Sequence, residues 1–142
     1  MSAAAAVSHA RSMIGTRWRH RGRKPWAVDC IGLVELSLRA GGWVPRAEMP
    51  LHYGREPWDD RLRRGLQALF GDPINDHWRA GDVPLIRWGA GEPTHIGVLA
   101  DYRYGGISII HASTLQGVIE TNLSGRLREG VIAVYRPEWG VP

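Results

Sequence analysis

Near residue 82 the 142-residue chain changes periodicity, and that change restricts the fold more than any other feature. Before it, apolar residues recur every three or four positions; after it, they come in short runs separated by glycines and polar residues. The runs cover residues 82–88, 95–101, 106–113, 117–121 and 130–137, and they predict antiparallel strands at hairpin spacing. Helical spacing covers residues 3–14, a stretch that opens at Cys30 with Asp29 as N-cap and stops at Gly41 and Gly42, and residues 59–70. Helices first and strands second is an α+β arrangement, and 142 residues suffice for one domain, 1–142, with its own core.

Composition removes several classes of function. One cysteine cannot form an intramolecular disulfide, and no segment has the length and apolarity of a membrane span, so no membrane partner is expected. The sequence carries neither a helical His-Glu-x-x-His nor a paired-cysteine pattern, so no metal and no cofactor are expected. The net charge of +4 favours an anionic partner, and much of the excess sits in "RWRHRGRK", Arg17 to Lys24. Those basic residues with Trp18 and Trp26 do not form a recognised nucleic-acid module, so nucleic acid is not expected.

The lone cysteine lies where chemistry is available. A single thiol is ordinarily a small buried hydrophobe. Here Cys30 follows the capping Asp29 at the first helical position, where free backbone N–H groups and the positive dipole end favour a thiolate and an oxyanion. A nucleophile needs a base and the base an orienting partner. Two of the six histidines, His95 and His111, fall in the strand-like runs, on either side of "DYRYGG". A hairpin centred on Arg103, in which opposing residue numbers sum to 206, sets them face to face; sums of 204 or 208 keep them diagonal on one face, and an odd sum separates them.

With those residues in place, the chain resembles the NlpC-type cell-wall cysteine peptidases. "VDCIGLV" is similar to that family's nucleophile motif, and "RAGDVPLIRW", "THIGVLA" and "IIHASTLQGVIE" are similar to its following strands, in the same order. The resemblance implies a papain-like fold with the cysteine helix packed on an antiparallel sheet. It implies cleavage of amide bonds in peptidoglycan stem peptides, with Cys30 as nucleophile, His95 as general base and His111 as the polar residue that orients the base. Asp29, Trp18 and Ile31 fall at substrate-binding positions: Trp18 stands where the family has a tyrosine, and Ile31 where it commonly has a serine. His20 lines the same edge of the cleft in this reading.

"RHRG" ahead of "DCIGLV" resembles the phage-tail and gene-transfer-agent branch. That branch implies an enzyme made in the cytoplasm without a signal peptide and carried by a phage-like tail to the periplasm and wall. It also implies docking on tail-tip or baseplate proteins through residues 59–70 or the "PEWGVP" tail. Two alternatives belong to other classes: a non-catalytic tail component, and an amidase or acyltransferase on the same fold.

Overall fold

The structure is a computed structural model, and it describes residues 1–45, 61–87 and 95–140. His52, Trp88, most of the loop expected over 43–57 and the first two residues of the helix expected at 59 lie outside the described residues.

The N-terminal part is helical, as its period requires. Helix α1 spans Ala3–Ser12, with the Ser2 hydroxyl accepting the Ala5 N–H at its start. Helix α2 spans Cys30–Ala40 behind the Asp29 cap, and α3 spans Arg61–Phe70. The apolar stripe of α2 is buried through Ile31, Leu33, Val34 and Leu38, and that of α3 through Leu62, Leu66, Leu69 and Phe70. Arg64 lies on the exposed side, so as far as it is described this helix covers the core rather than presenting an apolar docking face.

Between α1 and α2 the basic stretch forms three two-residue strands that the sequence, read as loop, does not announce. They are β1 (Arg17–Trp18), β2 (Arg23–Lys24) and β3 (Ala27–Val28), in the order β1-β3-β2. This small sheet is pinned to the start of α2 by a close backbone approach. A Cβ on Gly32 would overlap the Gly22 carbonyl oxygen, so only glycine lets the turn rest on the first turn of the helix.

The C-terminal part is antiparallel. Strand β4 (Val83–Ile86) lies between β5 (His95–Ile96) and β9 (Val131–Tyr135); β7 (Ile107–Ser113) lies between β6 (Val98–Asp101) and β8 (Gly117–Asn122). A short helix α4 (Gly125–Gly130) leads from β8 into β9. The single strand expected over 95–101 is in fact two. Gly97 interrupts it, and a Cβ there would lie 2.7 Å from the Ile110 carbonyl oxygen and 2.9 Å from the Ile109 side chain. The chain passes flush against β7 at that point, so β5 leaves β6 and pairs with β4 instead, Ile86 facing His95.

One apolar cluster lies between the helices and the sheets, and a second, with Ile86, Leu99, Ile109, Leu123 and Val134, lies on the far side of β6 and β7. Arg11 of α1 reaches Glu120 of β8 with Nε–Oε1 and Nη2–Oε2 distances of 3.0 Å, and Ser108 donates to the same carboxylate at 2.7 Å. The C-terminal tail is also part of the fold. Trp139 bridges to Trp43, whose ring stacks 5.2 Å from Phe70, and Gly140 N–H bonds the Gly42 carbonyl. The second docking candidate is therefore used in packing, like the first.

Candidate active site

Local geometry first fixes the cysteine. Asp29 is extended (φ −101°, ψ −170°) and its Oδ1 accepts the Gly32 N–H at 2.8 Å, which starts α2 at Cys30. The same carboxylate accepts the Arg21 N–H on Oδ2 at 2.9 Å and the Arg23 guanidinium on Oδ1 at 2.8 Å. It is 2 % exposed. The carboxylate thus ties the helix start to the β1–β2 turn, and Arg23 goes on to Glu35 one turn further along α2, at 3.8 Å.

The histidine pair forms, but in a different register from the one with Arg103 at its centre. Val98 faces Ile110 and Asp101 faces Ile107, so opposing numbers sum to 208 and the hairpin turns about Tyr104. Gly105 and Gly106, with φ of +97° and +78°, supply the left-handed residues that this loop needs. Within a straight hairpin the two histidines would sit diagonally; the break at Gly97 swings His95 inward. Its Nε2 lies 2.9 Å from His111 Nδ1, with the rings edge-on at 79°. Parity along the strands was the readable signal, and the glycine supplied the remaining correction.

The Cys30 thiol lies at the backbone N–H groups of Ile31 and of Ile96, the neighbour of His95, so α2 and β5 meet at the sulfur. Its ionisation does not follow the helix-dipole expectation. Burial, followed by the adjacent Asp29 charge, pushes the thiol up to about 12, and the two N–H groups and Arg23 oppose this only in part. Burial and the neighbouring His111 push His95 down to about 3, and burial lowers His111 as well. The resting pair is a neutral thiol beside neutral imidazoles. His111 is buried and its Nε2 has no hydrogen-bond partner among the described residues.

The remaining residues divide. Trp18 and His20 are half-buried on the β1 side, with ring centroids 6.4 Å apart. Trp18 pairs with Val28 in register, two residues before Cys30, and so borders the site. Ile31 does not: it is 1 % exposed and packs in the main core, so the expectation that it lines a substrate subsite is corrected. A helix's second residue can point either way, and here α2 turns it inward. Arg23 is a site residue that the charge run concealed, because its pairing with Asp29 depends on the β1–β3 sheet.

The chain superposes on the NlpC/p60 domain of the peptidoglycan hydrolase SagA with a TM-score of 0.63 and 20% identity, covering 95% of this chain and 98% of that one. The fold is that of an NlpC/p60 domain. An NlpC/p60 family protein from Bacillus cereus ATCC 10987 gives a TM-score of 0.64 at 16% identity, and NlpC1 from Trichomonas vaginalis gives 0.64 at 18%. This chain covers 96% and 92% of its own length in those two matches but only 40% and 42% of theirs. No protein-family model matches the chain, and no curated protein matches it in sequence. The papain-like α+β class expected from the sequence is the class observed.

The thiol and His95 make stability depend on pH with a definite sign. Unfolded His95 takes up a proton near its ordinary 6.5, whereas the folded form refuses it until about 3, so stability falls as pH drops from 6.5. Unfolded Cys30 ionises near 9.0 and the folded thiol near 12, so stability also falls above pH 9. Glu120, held low mainly by Arg11, begins to matter only below its ordinary 4.5. A thermal midpoint that declines between pH 6.5 and 4.5 in the wild type and declines less steeply in His95→Ala, where His111 alone of the two remains, is expected; the same decline in both would contradict this assignment.

Proposed function

We propose that the protein is a cysteine hydrolase that cleaves amide bonds in peptidoglycan stem peptides. The observation that carries this reading is the meeting of Cys30, at the head of a capped helix, with the strand that holds the bonded His95–His111 pair. The name of one structural neighbour, a peptidoglycan hydrolase, supports the substrate class.

Proton bookkeeping selects one tautomer. His95 serves as a base only if Nδ1 carries the lone pair, so Nε2 carries the hydrogen and donates it to His111 Nδ1. His95 Nδ1 then takes the Cys30 proton as the sulfur attacks the amide carbonyl, and His111 accepts from the imidazolium that forms. Backbone N–H groups at the start of α2 stabilise the tetrahedral oxyanion. His95 returns the proton to the leaving amine, and water, activated by His95 in turn, releases the acyl group. Asp29 acts here by fixing the helix start, since its carboxylate is buried and already bonded, and Trp18 and His20 border the substrate path.

Incubation with purified sacculi, followed by mass analysis of the soluble products, tests the reading. The expected result is release of peptides with a new amino group and a new carboxylate at one stem-peptide bond. Release of intact stems with a free N-terminal amino group, the lactyl carboxylate staying on the glycan, would instead identify an amidase on this fold. Carriage to the wall by a phage-like tail rests on the "RHRG" placement alone; co-sedimentation of the protein with tail particles would test it.

A further inference from the structure

The distribution of charge assigns a second task to the small sheet in front of the nucleophile. The first acidic residue of the chain is Asp29. Six of the 18 Lys and Arg residues and none of the 14 acids precede it, leaving twelve cations against fourteen acids in the rest. The whole basic excess of the molecule is therefore in the first 28 residues. Two of those six cations are occupied, Arg11 by Glu120 and Arg23 by Asp29.

The other four, Arg17, Arg19, Arg21 and Lys24, are exposed and make no ion pair among the described residues. They lie on and around β1 and β2, and Trp26 in the next turn is 71% exposed. Register places the group beside the thiol. Trp18 faces Val28 across a strand spacing of about 5 Å, and Cys30 is two residues further on, so this strip begins about 10 Å from the sulfur. Four unpaired like charges so close together cost stability, and an anionic partner offsets that cost.

We propose that this strip docks the carboxylate-bearing stem peptides of the peptidoglycan network beside the cleft, holding the polymer while Cys30 acts on one bond. The inference rests on the substrate class proposed above. Arginine forks match carboxylates in two-point contacts, and the exposed indole gives the peptide backbone or sugar an apolar face to rest on. Several weak, screened contacts along a polymer add up where a single exposed pair contributes little.

Binding without cutting tests the proposal. Cys30→Ala protein is titrated onto purified sacculi stripped of phosphate polymers, beside the same protein carrying Arg17→Gln, Arg19→Gln, Arg21→Gln and Lys24→Gln. A tenfold or greater loss of affinity is expected at about 50 mM salt, shrinking toward none near 0.5 M as screening closes in. Replacing the three arginines by lysine should retain most of the affinity, which separates charge from misfolding. Amidating the sacculus carboxylates should bring the parent protein down to the level of the four-fold variant.

Equal binding by parent and four-fold variant would overturn the proposal, as would indifference to amidation. Binding that requires the phosphate polymers would overturn it in favour of a different anion. Intact, charge-dependent binding by a protein whose native form cuts nothing would overturn the hydrolase reading and leave the docking strip standing.

Discussion

Replacing Asp29 by alanine should lower the unfolding free energy by about 3–5 kcal/mol, the usual range for stranding one partner of a buried charge pair. The carboxylate is 2 % exposed and accepts from the Gly32 and Arg21 N–H groups and the Arg23 guanidinium. Alanine leaves two amides without their acceptor and takes from Arg23, whose side chain is 15 % exposed, its carboxylate at 2.8 Å, while Glu35 stands at 3.8 Å and the Gly22 carbonyl at 3.2 Å. In a domain of this size the midpoint should fall by roughly 10 °C or more. Asp29→Asn keeps an oxygen for Gly32 but loses the charge, so its loss should be smaller. It should also speed alkylation of Cys30, because the Asp29 charge is one of the two causes that hold the thiol high. A thermal scan of Asp29→Ala coincident with the wild type would show that the cap carries no such weight.

The second large effect concerns the base. A thiol held at about 12 is ionised in on the order of one molecule in 10⁵ at pH 7, so attack requires proton transfer within the site. His95→Ala should therefore lower kcat by about 10³-fold or more, the upper part of the range for general-base catalysis. His111→Ala should cost less, since it removes the acceptor at 2.9 Å that fixes the His95 tautomer and leaves the base itself. His111→Asn, which restores an acceptor, should recover part of the rate. The ratio of the variants' kcat values decides the assignment: His111→Ala as severe as His95→Ala would contradict this order of roles.

Much of this site was legible in the sequence. The Asp-Cys junction ahead of an apolar stripe carries the signals of a helix start, and an even hairpin register, one of those the sequence left open, sets His95 and His111 on one side. What escaped was tertiary. Gly97 reads as an ordinary residue inside a β run, yet its lack of a side chain lets β5 separate from β6. Two-residue strands have no period, so β1, β2 and β3 read as a basic loop, and the partner of Arg23 was hidden with them. Ile31 resembled a cleft residue by position; its side chain is in the core because α2 packs with that edge inward. The thiol's raised pKa shows burial outweighing the helix dipole, a contest of magnitudes that spacing alone does not decide.

The most direct test is the release of soluble peptide from purified sacculi by the wild type and by Cys30→Ala, with thermal unfolding recorded on both. Cys30→Ala should fold with a midpoint within a few degrees of the wild type and release nothing above the enzyme-free control. Undiminished release by a folded Cys30→Ala protein would contradict the assignment of the thiol as nucleophile.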